Sequence, residues 1–340
     1  MGTSASRILI VPPLLALLSA CGPDSRDAAS AVGPAIEPHR LRSEGSRFSE
    51  WSAPINLGPP VNTAGVEQGP AISKDGLSLY FQCMNCPGGL GGVDLWVSQR
   101  ATREDPWGPP QNLGSIINTP DNEGGPSLSV DGHDLYFNSS RPGGLGGNDL
   151  YVARRKHKHD DFGWEPAVNL GSAVNSPTND AAPQPFVDHD AGTTILYFSS
   201  GRAGGLGDQD IYTSVLGPDG TFGPPTAVIE VNSPFSDQAP AVRRDRLEMF
   251  LASDRPGTLG LLDLWVTTRE RTSDPWSAPV HLGPTLNGPG NDAGLELTLD
   301  GRTLYFHSAG RPGNVGGPFF DIWFATRDKL HGGGHEGGRP

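Results

Sequence analysis

Beyond residue 50 the apolar positions fall in short alternating runs such as Leu77-Ser78-Leu79-Tyr80-Phe81, each bounded by Gly, Pro or Asp-Gly. A period of two over so few residues predicts half-buried or buried strands, and no 3.6-residue stripe competes with it. The runs recur as three phrases in constant order. The first joins an aromatic to a proline, as WSAPINLG at Trp51, WGPPQNLG at Trp107, WEPAVNLG at Trp164, FGPPTAVI at Phe222 and WSAPVHLG at Trp276. The second is a hairpin core, such as SKDGLSLYF, SVDGHDLYF or TLDGRTLYF. The third is Gly-rich and closes on an acid, at Asp94, Asp149, Asp210, Asp263 and Asp321, with 53 to 61 residues between successive repeats.

Each unit reads as four strands. Strand A precedes the Asp-Gly turn, whose Gly supplies the positive φ of a two-residue hairpin. Strand B is the Leu-Tyr-Phe run and strand C the Asp-Leu-Trp run. Strand D holds the Trp-x-x-Pro phrase, with Pro54, Pro110, Pro166, Pro225 and Pro279 inside it. Proline lacks a ladder donor, so strand D belongs at the outer rim. Four-stranded units repeated at this length predict an all-β, five-bladed β-propeller. The array opens on an orphan strand D at Trp51 and ends without one after Phe324, so the N-terminal strand is expected to complete the last blade and close the ring.

These phrases resemble the WD40-like propeller repeat of TolB-type proteins over roughly residues 51–327. The resemblance implies the propeller fold and a role in envelope protein interactions, while propellers at large also bind glycans and carry catalytic sites. Composition agrees with a turn-rich β protein: 47 Gly and 33 Pro in 340 residues, with 35 % apolar. A formal net charge of −13 disfavours nucleic acid, which demands a basic footprint.

The first 20 residues read as a lipoprotein signal peptide, with Arg7 before an apolar run that ends in Leu18-Ser19-Ala20-Cys21. This string resembles a lipobox, making Cys21 the expected lipidation site. The membrane is then reached through the lipid anchor only. Residues 21–46 read as a flexible tether, 47–328 as the propeller and 329–340 as a disordered Gly/His tail. Gly22 after the cysteine implies outer-membrane sorting, facing the periplasm or the cell surface, by resemblance to enterobacterial lipoproteins.

Three residues before the head of strand A's core every repeat carries an acid: Glu67, Glu123, Asp180, Asp237 and Asp292. Arg141, Arg202, Arg255 and Arg311 follow strand B. Acids and arginines are expected on one face, either as a partner-binding ring or as pairs that brace each blade. Asn62, Asn118, Asn175, Asn232 and Asn287 are expected to satisfy turn backbone by Asx-type bonds. The first repeat instead has Cys83 and Cys86, expected as a local disulfide. Glu296 breaks the repeat, and with Asp292 it forms the one candidate acid–base pair. No metal is expected. Calcium stays open as an alternative that no ligand spacing supports, and no cofactor beyond the lipid is implied. The Lys156–Asp161 run reads as a solvated connection. The sequence thus points to a non-catalytic propeller that binds an envelope protein or a peptidoglycan-associated component, with a lectin-like propeller or a glycoside hydrolase as the alternative.

Overall fold

The computed structural model describes residues 48–188 and 192–330. The signal peptide, Cys21, the tether, His189, Asp190 and the tail beyond Leu330 lie outside the described residues. The described residues fall in one compact unit.

Among the described residues twenty strands form five four-stranded antiparallel sheets, and one four-residue helix lies between two of them. The orphan strand β1 (Ile55–Asn56) comes first. The first blade is β2 (Val66–Ile72), β3 (Ser78–Met84), β4 (Val93–Gln99) and β5 (Gln111–Asn112). The second is β6 (Glu123–Leu128), β7 (Asp134–Ser139), β8 (Asp149–Arg154) and β9 (Val168–Asn169). The third is β10 (Asp180–Asp188), β11 (Thr193–Ser200), β12 (Asp210–Val215) and β13 (Thr226–Ala227). The fourth is β14 (Asp237–Val242), β15 (Glu248–Ser253), β16 (Asp263–Thr268) and β17 (Val280–His281). After α1 (Gly283–Leu286), the fifth blade runs β18 (Asp292–Leu297), β19 (Thr303–Ala309) and β20 (Phe320–Thr326). Strand β1 supplies its outer strand, pairing Ile55 with Phe324 and Asn56 with Trp323, so the ring closes on the N-terminal strand.

Alternation along strand B places neighbouring side chains in different cores. Leu79 and Phe81 pack with Tyr305 and Ile322 of the fifth blade, whereas Tyr80 packs with Leu135 and Phe137 of the second. Both faces of each sheet are therefore buried, which accounts for the unbroken Leu-Tyr-Phe runs. On the hairpin-turn face, Arg100, Arg155, Arg269 and Arg327 stack on Trp107, Trp164, Trp276 and Trp51 at 4.1–4.4 Å. Their Nε atoms donate to the hairpin carbonyls of Gly76, Gly132, Arg246 and Gly301. The third blade pairs Leu216 with Phe222 instead, so aromatic and cation changed together.

Three local expectations need correction. The rim strands are two residues long and begin just after the prolines rather than containing them, because no ladder can be built on a residue without N–H. The Asp-Gly turns are four-residue loops: Ser73 N–H donates to Ser78 O, and Asp75 Oδ1 receives Leu77 N–H inside the loop. Gly76 does take φ +75°, yet the strand pair stops at Ile72 and Leu79. The Lys156–Asp161 connection is not wholly solvated. Asp161 is buried between blades, accepting from Arg155 at 2.6 Å, Tyr80 Oη at 2.6 Å and Gln99 at 2.7 Å.

The five asparagines also act otherwise than expected. Each side-chain amide pairs with both backbone groups of one strand-C residue: Asn62 with Ile322, Asn118 with Leu95, Asn175 with Leu150, Asn232 with Ile211 and Asn287 with Leu264. Only at Asn62 does this bond help to hold the two ends of the chain together. Asn62→Ala orphans two buried backbone groups at that closure, so a loss of about 2–4 kcal/mol is expected in urea unfolding. A loss below about 0.5 kcal/mol would show that the closure does not depend on it.

Candidate functional site

The ring acids lie where the sequence put them, at the head of each inner strand, but all five are fully buried. Each carboxylate accepts the backbone N–H of the residue four before it, from Thr63, Thr119, Ser176, Ser233 and Gly288. In the second to fifth blades an arginine closes the other side. Arg141 lies 3.3 Å from Glu123, Arg202 2.8 Å from Asp180 and Arg311 2.9 Å from Asp292, and Arg255 pairs with Asp237. The same guanidinium groups donate to the carbonyls of Ile117, Val174, Val231 and Leu286 and lie over aromatic rings of their own blade. Their hydrogen-bonding capacity is turned inward, tying the D–A loop to strand B.

The first blade departs from this plan. Cys83 occupies the register position of Ser139, opposite Glu67, and is joined to Cys86 by a disulfide. The two sulfurs lie 3.7 and 3.9 Å from Glu67 Oε1, and Thr63 Oγ1 donates to the same oxygen at 2.5 Å. Burial raises the Glu67 carboxyl above its ordinary value against these hydrogen bonds, and the Asp321 charge adds to the rise.

The phrase-ending aspartates clamp the Gly-rich loops. Asp94, Asp149, Asp210, Asp263 and Asp321 accept the backbone N–H of Leu90, Leu145, Leu206, Leu259 and Val315 at 2.5–2.6 Å. Asn112, Asn169, His281 and Asn56 bind four of the same carboxylates from the rim strands. A Cβ at Gly144 or Gly205 would lie 2.2 or 2.0 Å from the aspartate, which excludes a side chain from the clamp. With its N–H held inward, each loop turns its aliphatic side chain outward. Leu90, Leu145, Leu206, Leu259 and Val315 are between 44 % and 57 % exposed, and Ile116, Phe235, Leu261 and Phe319 are exposed on neighbouring loops of this face. This apolar crown was missed in the sequence because the Gly-rich phrase reads as turn chemistry. The signal was present as one aliphatic residue at the same place in all five phrases.

At the axis the inner strands come close. Each carries a bulge with one residue at positive φ, at Gly69, Gly125, Ala182, Ala239 and Gly294. The bulge N–H is bonded across four of the five seams to strand B of the preceding blade: Gln82 receives Gly125, Asn138 Ala182, Ser199 Ala239 and His307 Gly69. The fourth blade has Ala252 at this position. The pocket these strands leave at the axis is small, about 30 Å³. Glu296 lines it and accepts from Gln184 Nε2 of the third blade at 3.3 Å. Asp292 does not join it, since Arg311 and the Gly288 N–H occupy its two oxygens. Among the described residues Glu296 is the one carboxylate lining the axial cavity.

A larger cleft of about 320 Å³ opens on the hairpin-turn face between the second and third blades. Its lining is mixed: Lys74, Ser129, Asp131, Asp134, Tyr136 and Thr194 bring polar groups, and Val130, Pro185 and Val187 bring apolar surface.

No family model matches the chain, and no curated protein matches its sequence. Solved structures do match in fold. A thermostable family-43 glycoside hydrolase aligns with a TM-score of 0.53 at 14 % identity, over 81 % of this chain and 93 % of its own. An α-L-arabinofuranosidase from Lactobacillus brevis gives 0.54 at 15 %, over 78 % and 91 %. Zg3597, a family 117 glycoside hydrolase of the marine bacterium Zobellia galactanivorans, gives 0.53 at 12 %, over 83 % and 91 %. At these identities the likeness is one of fold.

Two axial groups set the pH response. Burial holds the His307 ring at about 3 and pushes Glu296 up to about 8. The unfolded chain takes up the histidine proton near 6.5, so His307 contributes stability above that pH and loses it as pH falls toward 3. Glu296 has the opposite sign: its contribution is full below about 4.5 and is lost as pH rises through 8. Of these two groups only the glutamate changes the balance between pH 6.5 and 8. Wild type is expected to lose stability across that window, and Glu296→Gln to hold a flat urea midpoint. Between pH 6.5 and 4.5 the two contributions run in opposite directions and offset each other, so His307→Gln, copying the Gln82 seam, should gain stability as pH falls through that window and lose less than wild type from 4.5 toward 3. Parallel curves for variants and wild type would refute both assignments.

Proposed function

We propose that this chain is a non-catalytic binding propeller whose B–C and D–A loop face docks a protein of the cell envelope. Lipid on Cys21 would hold it there, as an outer-membrane lipoprotein of the TolB-like kind. One observation carries the reading: five rigid loops present an aliphatic side chain at the same position of five blades. Exposed apolar surface on a folded domain marks an interaction site. Exposed acids, Asp208 and Asp254, border the crown, while Lys74, Lys156 and Lys158 belong to the opposite face. Such a surface repels anionic lipid and nucleic acid and suits a partner that is apolar at the centre and basic at its edge.

The solved neighbours favour carbohydrate over a protein partner, since those with this fold are named as arabinofuranosidases and other glycoside hydrolases. In this chain the cleft between the second and third blades, where Asp131, Asp134 and Tyr136 stand beside apolar side chains, is the feature that suits carbohydrate binding. Hydrolysis has less support: a glycosidase sets two carboxyl groups about 5–9.5 Å apart around a substrate, and the small axial pocket is lined by one, Glu296.

Crosslinking capture from envelope extract, with purified sacculi and xylan in parallel, separates the readings. Leu145→Asp with Leu206→Asp is expected to weaken capture of one stoichiometric protein by about 30-fold or more with an unchanged melting temperature. Undiminished capture would remove the crown from the interface. Retention on polysaccharide, lost in Asp134→Ala, would move the function to the cleft. Turnover of an aryl arabinofuranoside or xyloside abolished by Glu296→Gln would make the chain a hydrolase.

A further inference from the structure

In four blades a buried carboxylate at the head of the inner strand faces a guanidinium. In the first blade the carboxylate is present and the cation is not. Among the described residues no arginine or lysine is ion-paired with Glu67, and two sulfur atoms stand near it instead. A buried anion retains its charge at low cost only beside a positive partner.

One donor atom from each of Glu67, Cys83 and Cys86 falls within 4.8 Å of the other two. Cysteines separated by two residues are a recurring ligand spacing for zinc, and two sulfurs with one carboxylate oxygen leave a fourth tetrahedral position. The side of the group toward Gly65 is covered by no side chain of that residue. Gly65 lies over the donors, and a Cβ there would be 3.0 Å from Glu67 Oε1, 3.1 Å from Thr63 Oγ1 and 3.2 Å from Cys86 Sγ. Glu67 and Cys83 are buried while Cys86 is partly exposed, so the group is reached from solvent on the Cys86 side.

We infer that the first blade is a redox-gated site for a thiophilic divalent cation such as zinc, bound by Cys83, Cys86 and Glu67 once the disulfide is reduced. A dithiol reductant supplies two electrons and two protons: the S–S bond breaks, Cys83 and Cys86 become thiols, and the dithiol closes to its own disulfide. The cation then displaces the two thiol protons to solvent, forming two metal–sulfur bonds and one metal–oxygen bond to Glu67. It stands in the role that the arginines fill in the other blades. Disulfide and metal forms exclude each other, because the same sulfur valences serve both.

The test uses the full chain carrying Cys21→Ser, which leaves Cys83 and Cys86 as its only thiols. Cadmium is titrated into oxidised and phosphine-reduced samples, and the thiolate-to-cadmium ultraviolet band is followed, a signal to which histidines do not contribute. Reduced protein is expected to saturate at one equivalent and oxidised protein to give no band. Glu67→Gln keeps both sulfurs and should weaken binding by at least about 10-fold, and Gly65→Ala should weaken it by crowding the open position. Zinc competition against cadmium extends the result to the biological ion. Absence of the band in reduced protein that keeps its native circular dichroism would overturn the proposal, as would Glu67→Gln binding with unaltered affinity. If reduction itself unfolds the chain, cadmium added during reduction should preserve the wild-type fold and fail to preserve Glu67→Gln; equal loss of both overturns the proposal too.

Discussion

A carboxylate removed from water must be met by donors, and this molecule removes two per blade from water on a single face. That obligation organises the loops. The acid at the head of strand A draws in the D–A backbone four residues earlier, and in four blades an arginine spans from it to a loop carbonyl. The aspartate at the head of strand C draws in the amide of the Gly-rich loop and the side chain of the rim strand. Loops that would otherwise be long and mobile become ligands of buried charge. Asp149, Asp210, Asp263 and Asp321 each keep one oxygen without a protein partner. The clamps are therefore built around the bond to the loop amide rather than around full saturation of the acid.

The architecture was legible because it is written five times. The Leu-Tyr-Phe runs, the Pro-bearing rim phrase and the orphan strand at Trp51 are local statements whose repetition multiplies their weight. The roles of individual polar groups were harder to read. An acid at a strand head looks alike whether it faces solvent or a guanidinium, and burial of Glu123 or Asp180 follows from blade packing that no short window contains. The strand-like bonding of Asn62 was hidden because its partner, Ile322, lies at the other end of the chain. The crown escaped notice because Leu90 and its counterparts sit among glycines, where a sequence pattern registers the turn and overlooks the side chain it displays.

A common fold with hydrolases carries little chemistry by itself, and the axis explains why. Glycine, proline and alanine at the bulges bring the inner strands close and leave a small pocket between them. Hydrolytic chemistry needs a pocket at which two acids meet a sugar. Here the acids at the strand heads are spent on holding loops, and Glu296 shares its space with a glutamine. The polar groups at the strand heads hold the loops in place, and the aliphatic side chains of those loops stay exposed.

The bonds across the inner seams have a consequence for how the blades find their order. Glutamine, asparagine, serine, alanine and histidine stand at one equivalent position, and all but the alanine reach the following bulge with a different side chain. Blades this similar in sequence could otherwise pair in the wrong succession. With a long amide, a short amide, a hydroxyl, a methyl and an imidazole at successive joints, each joint resembles a key cut for a single lock. The ring therefore has an inscribed cyclic order. Its blades are not interchangeable parts, and a sixth blade inserted by duplication would arrive with a key for a neighbour already taken.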